Sequence, residues 1–187
     1  MLRSSFIYGL RKRVGYKYVV KSIKQLLSGG DLRSIAGSNQ VVKLVKNQSD
    51  FDQLFKLMLS EERLIKGRAA DAIEKITIHN PSYLSKYHSA ILELLHTSKD
   101  KELQWHLATL CARIQWSNQE LSKVFKQLTK WALDSQQSKI VRVNAIQALH
   151  DLALTFPFKK NNYQSLIADL ASDQSPSIRA RIRKINQ

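Results

Sequence analysis

The side chains that could serve as nucleophile, base or metal ligand are few and scattered along the chain. Cys111 is the only cysteine, and the five histidines are His79, His88, His96, His106 and His150. A single cysteine excludes an internal disulfide and any multi-cysteine zinc or iron–sulfur site. The histidines show no pair at metal-binding spacing on one helix face. His106 and Cys111 lie five residues apart, about 140° around a helix, so they do not converge as base and nucleophile. Cys111 is expected to be a buried, inert small hydrophobe. The six glycines, Gly9, Gly15, Gly29, Gly30, Gly37 and Gly67, form no phosphate-binding GxxxxGK(S/T) or GxGxxG loop. GxSxG and HExxH are also absent. Asp71 has Lys75 at i+4, and an ordinary ion pair accounts for it. These residues assign no catalytic group, metal or cofactor, and the expectation is a non-enzymatic protein.

Charge is the second chemical signal. The 187 residues carry 30 basic and 15 acidic side chains, a net +15. Residues 1–30 hold seven of the bases, including Arg11, Lys12, Arg13 and Lys17, and no acid precedes Asp31. Such a segment suits a solvated helix capping the fold, a nucleic-acid or membrane-surface arm, or a mitochondrial transit peptide. The apolar run Phe6 to Leu10 is too short for a secretory signal. No stretch approaches the ~18 apolar residues of a membrane helix, so a cytoplasmic protein is expected, with mitochondrial targeting the alternative.

Positioning of these residues falls to a repeat. The segments LIKGRAADAIEKI, ELQWHLATLCARI, IVRVNAIQALHDL and SIRARIRKI align on Ile65, Leu103, Val141 and Ile178, with offsets of 38, 38 and 37 residues. With that residue as zero, column +4 holds Ala69, Leu107, Ala145 and Ile182, and column +8 holds Ile73, Cys111 and Leu149. Apolar residues at 0, 4, 7, 8 and 11 mark one face of an α-helix. Leu57, Leu95, Leu133 and Leu170, eight residues upstream, assign a preceding helix to each unit. The spacing predicts helix pairs over about 50–77, 82–114, 117–155 and 161–186. Asn80-Pro81-Ser82 is the expected start of one helix. Upstream, a helix is expected around Tyr16 to Leu27, then a Gly29-Gly30 break and a helix from about Asn39 to Val45. The division expected is a basic segment, 1–27, and a repeat domain, 28–187. Gly and Pro are scarce. The fold class expected is all-α, an α-α superhelix of about four helix pairs with an N-terminal cap, because one pair cannot bury its stripe alone.

Helical geometry then nominates binding residues. Columns +1 and +3 fall on the flanks of the buried stripe; they contain Arg142 at +1 and Arg68, His106 and Arg181 at +3. Columns +2, +5, +6 and +9 are expected to line an open face. Trp105, at +2, is about 175° from the core centre. It is either an anchor for a partner or packing against Val143, Ala70 and Ala108.

The period, the paired helices and the stretch IVRVNAIQALHDLALTFP resemble HEAT repeats, and KGRAADAIEKI with GGDLRSIAGSNQVVKLV resembles short bacterial-type HEAT-like proteins. The resemblance spans about residues 28–187. It implies a binding scaffold, and it implies a ladder between units, with Asp134 and Asp173 resembling partners for Arg142 and Arg179. The function expected is a scaffold for a protein partner. The alternative is sequence-independent nucleic-acid binding through the basic ends, because neutralised phosphates release counterions. A HEAT-like glycosylase for alkylated bases is a minor alternative with no residues that carry it. The sequence leaves the oligomeric state open.

Overall fold

The computed structural model of the chain describes residues 23–29, 37–185 and 187, and every regular element among them is helical. Arg11, Lys12, Arg13 and Lys17, and most of the helix expected around Tyr16 to Leu27, lie outside the described residues. The chain groups into two compact units, one ending at His79 and one spanning Asn80–Gln187. No helix among the described residues is long and apolar enough to cross a membrane.

In the first unit, residues 23–27 are helical, followed by α1 (Ser38–Leu44), α2 (Gln48–Met58) and α3 (Arg63–His79). Asn47 caps α2: its side-chain oxygen accepts the Asp50 amide at 3.0 Å. Both α1 and α2 pack on α3. Their interior is Ile23, Leu27, Val41, Phe51, Leu54, Phe55 and Met58 with Ile65, Ala69 and Ile73, all buried. Gly37 sits where the chain passes close against Leu26. A Cβ there would lie 2.5 Å from the Leu26 carbonyl oxygen, which instead accepts the Gly37 amide at 3.0 Å.

The second unit contains α4 (His88–Thr97), α5 (Lys101–Cys111), α6 (Asn118–Leu133), α7 (Lys139–Thr155), α8 (Lys160–Asp169) and α9 (Pro176–Ile185). Two starts are written in local chemistry. Asp100 accepts the Glu102 amide at 2.9 Å to cap α5. Ser117 and Glu120 close a reciprocal capping box on α6. The second helices α5, α7 and α9 form one layer with α7 between the others, and α4, α6 and α8 lie against them. Every residue of columns 0 and +8 within the described repeats is buried, as are Ala69, Leu107 and Ala145 at +4. Ile182, at the end of the array, is only half-buried.

Three local expectations are corrected. Pro81 opens a short 3-10 turn, Pro81–Leu84, rather than an α-helix, and Asn80 makes no side-chain cap bond; Pro157 follows the end of α7 at Thr155 and opens a second 3-10 turn, Pro157–Lys159. Leu133 is 41% exposed, because α6 buries Leu121, Val124, Phe125, Leu128, Trp131 and Ala132 instead. Column +5 faces solvent only at its last member: Ala70, Ala108 and Ile146 are fully buried, and Arg183 is exposed. The column lies about 115° from the core centre, which is a flank; in the second unit α5 and α9 pack beside α7, and in the first α1 and α2 pack on α3, so flanks are buried as well as the central stripe.

Candidate partner-binding surface

Most of the nominated side chains are held inside the fold. Arg68 is 5% exposed, and its Nη1 donates to the Leu27 carbonyl at 2.8 Å and to the Gly29 carbonyl. These bonds tie α3 to both sides of the boundary expected at residue 27. Arg142 is 4% exposed; its Nε donates to the Ala132 carbonyl at 2.9 Å and its Nη2 to the Asp173 carboxylate. His106 is buried under Trp105, with ring centroids 3.5 Å apart and planes tilted by 31°.

The ladder runs differently from the resemblance. Arg142 on α7 reaches Asp173 in the turn before α9, one repeat onward, whereas Asp134 accepts the Gln136 amide in its own turn. Arg179 donates to the Asp173 and Gln174 carbonyls at 3.1 and 2.9 Å. Burial of Asp173 works to raise its pKa. The bonds from Arg142 and the Ser175 amide, with the charges of Arg142 and Arg179, outweigh that and hold the carboxyl below its ordinary value. Cys111 is fully buried, and burial pushes its thiol pKa well up, away from thiolate chemistry.

Two candidates keep partial exposure. Trp105 is half-buried on α5. Arg181 donates through Nη1 to Gln147 Oε1 at 2.6 Å, and Gln147 Nε2 donates to Asp151 Oδ1 at 2.8 Å. Asp71 accepts from Lys75 Nζ at 2.6 Å and from the buried Ser38 hydroxyl, so it anchors α1 on α3.

The structure adds a surface that the repeat columns did not nominate. A cavity of about 440 Å³ is lined by His150, Ala153, Leu154, Pro157, Lys160, Tyr163, Gln164 and Ile167. Leu154 is 69% exposed at its wall, and Phe158, next to Pro157, is 59% exposed. Leu154 lies about 165° from the core centre of α7. The Phe156 amide bonds to the Leu152 carbonyl, ending the helix, and the 3-10 turn then turns Phe158 outward, its ring 6.2 Å from that of Phe156. Tyr163 forms the floor, its ring 5.4 Å from His150, and its hydroxyl has no hydrogen-bond partner among the described residues. Burial, with a smaller contribution from the Asp151 charge, pushes the Tyr163 pKa up to about 12. The available signal was apolar Leu154, Phe156 and Phe158 falling outside the repeat columns around Pro157.

No family model and no curated protein matches the chain. Among solved structures the chain is similar to one in the complex of CpcE and CpcF of phycocyanin lyase from Nostoc sp. PCC7120. The TM-score is 0.69 at 16% identity, covering 91% of this chain and 99% of that one. The likeness is one of fold, and it places the resemblance to HEAT repeats at the level of the helical-repeat fold. It also corrects the expectation of a non-enzymatic protein. A chain of this fold is part of a lyase, so missing catalytic motifs do not mark this one as a non-enzyme.

Proposed function

We propose that this chain works by binding a protein partner, and that the Leu154–Phe158 surface is its docking site. The observation that carries the reading is the exposure of Leu154 at the wall of a cavity and of Phe158 beside the Pro157 that lines it. Solvated surfaces seldom place such residues beside a ready pocket without a partner. The fold supports the same reading, since CpcE and CpcF were solved as a complex with each other. Trp105 is a second proposed anchor, because a half-exposed indole buries much area at low entropic cost. The complex, rather than the chain alone, is the species to assay for catalysis. The test is a partner captured from the native host and re-bound as purified protein. Leu154→Asp and Phe158→Asp are expected to weaken re-binding at least about tenfold with the melting temperature unchanged, as for exposed hot-spot residues. Equal affinity of parent and variants for the purified partner would refute the docking site.

The net charge of +15 favours a second reading, nucleic-acid binding through the basic N-terminal segment. Deleting residues 1–22, which leaves Ile23 in the core, is then expected to flatten the dependence of oligonucleotide affinity on salt, since the slope follows the phosphates neutralised. An unchanged slope after the deletion would remove this reading.

A further inference from the structure

The second unit carries another groove, formed by the first helices α4 and α6. It has a volume of about 740 Å³ and is lined by Leu92, Glu93, His96, Lys123, Lys126, Gln127 and Lys130. The three lysines are exposed, and among the described residues none of them has an ion-pair partner. They stand at i, i+3 and i+7 on one face of α6, rising about 4.5 Å and then 6 Å along the axis. Like charges at these spacings repel one another. Glu93 supplies the only carboxylate in the lining, which leaves a positive surplus. Leu92 and the lysine stems give the groove an apolar floor beneath a cationic rim.

We infer that this groove is a docking site for an acidic segment of a partner protein, bound by lysine–carboxylate pairs over an apolar floor. The inference rests on the protein-partner reading above and names the chemistry of a second contact with that partner. Charge complementarity identifies the occupant. A row of Asp or Glu one helical turn apart matches the lysine spacing, and apolar residues between them meet Leu92 and the stems. Such a peptide relieves the lysine–lysine repulsion and desolvates aliphatic carbon together. A nucleic-acid strand offers the charge but lacks aliphatic side chains for the floor.

The test uses a fluorescent, glutamate-rich amphipathic peptide and an oligo(dT) of equal charge, titrated by anisotropy onto the full chain at several salt concentrations. The triple variant Lys123→Glu, Lys126→Glu, Lys130→Glu is expected to lose peptide affinity about tenfold or more. Each single Lys→Ala should lose about two- to threefold. Because the lysines are exposed, helical dichroism and the melting temperature should stay at parental values; if the triple variant does not fold, the three Lys→Gln changes replace it. Ala substitutions of Arg11, Lys12, Arg13 and Lys17 should leave peptide affinity unchanged, which separates the groove from the N-terminal segment. Unchanged peptide affinity in the triple variant overturns the inference. So does a loss that follows the N-terminal substitutions, or a loss confined to oligo(dT). Leu154→Asp should not change affinity for this peptide, so failure of the groove and failure of the Leu154–Phe158 surface are told apart.

Discussion

Arg142→Ala is expected to destabilise the protein by about 2–4 kcal/mol, because breaking a buried ion pair leaves an uncompensated charge. The Arg142 side chain is 5% exposed and that of Asp173 13%, so residual hydration of Asp173 places the cost below that of a fully enclosed pair. Arg142 also donates to the Ala132 carbonyl, leaving a second group without its partner. Lysine will not substitute, since one ammonium lacks the planar fork that serves a carbonyl and a carboxylate together. Denaturant midpoints of the parent, Arg142→Ala and Arg142→Lys measure this. An alanine variant within about 0.5 kcal/mol of the parent would show that the pair contributes little.

The same pair sets a pH dependence. The folded pKa of Asp173 lies below its ordinary value. Its contribution is therefore complete above the unfolded pKa of about 3.9 and fades as pH falls through the folded pKa. Asp173→Asn should remove that part of the acid-induced loss. A parent and an Asn variant with identical profiles between about pH 2 and 5 would contradict this.

Leu149→Ala is the second large expected effect, at about 3–5 kcal/mol. Leu149 is fully buried on α7, which packs on α5, α6 and α9, so no neighbour is free to collapse into the space left behind. Cys111, its counterpart at column +8, is equally buried. Leu133→Ala is the control: at 41% exposure it should cost under about 0.5 kcal/mol. Equal midpoints for the Leu149 and Leu133 variants would mean that the helix layers do not pack as described.

Local signals carried most of the fold. Apolar residues spaced for a helical stripe, repeated at 38 residues, assign the helix pairs without knowledge of their neighbours. Ser117 and Glu120 mark a helix start because a capping box satisfies donors within four residues. The buried state of Cys111 follows from its column in the same way. These properties depend on period and on chemistry within one turn, both of which a single strand of text preserves.

Tertiary structure decided the rest, because it depends on which helix lies beside which. Arg142 was legible as a ladder residue, yet its choice of Asp173 over Asp134 reflects side-by-side packing of α7 and α9. Arg68 and His106 were nominated as binding residues from their place on the flank of the helical wheel, which gives the angle of a residue but not what covers it. Packing between elements buries those flanks, and desolvation then requires a partner for each polar group, which Arg68 finds in backbone carbonyls. Leu133 and Leu154 are identical in hydropathy to the buried leucines and differ in being left exposed by the packing of the described residues. Lys123, Lys126 and Lys130 share one face of α6 by spacing alone, and only α4 alongside turns that face into a groove. The repeat period is thus a property of the sequence. The surfaces proposed to meet a partner are ones the packing leaves uncovered, and only the three-dimensional arrangement selects them.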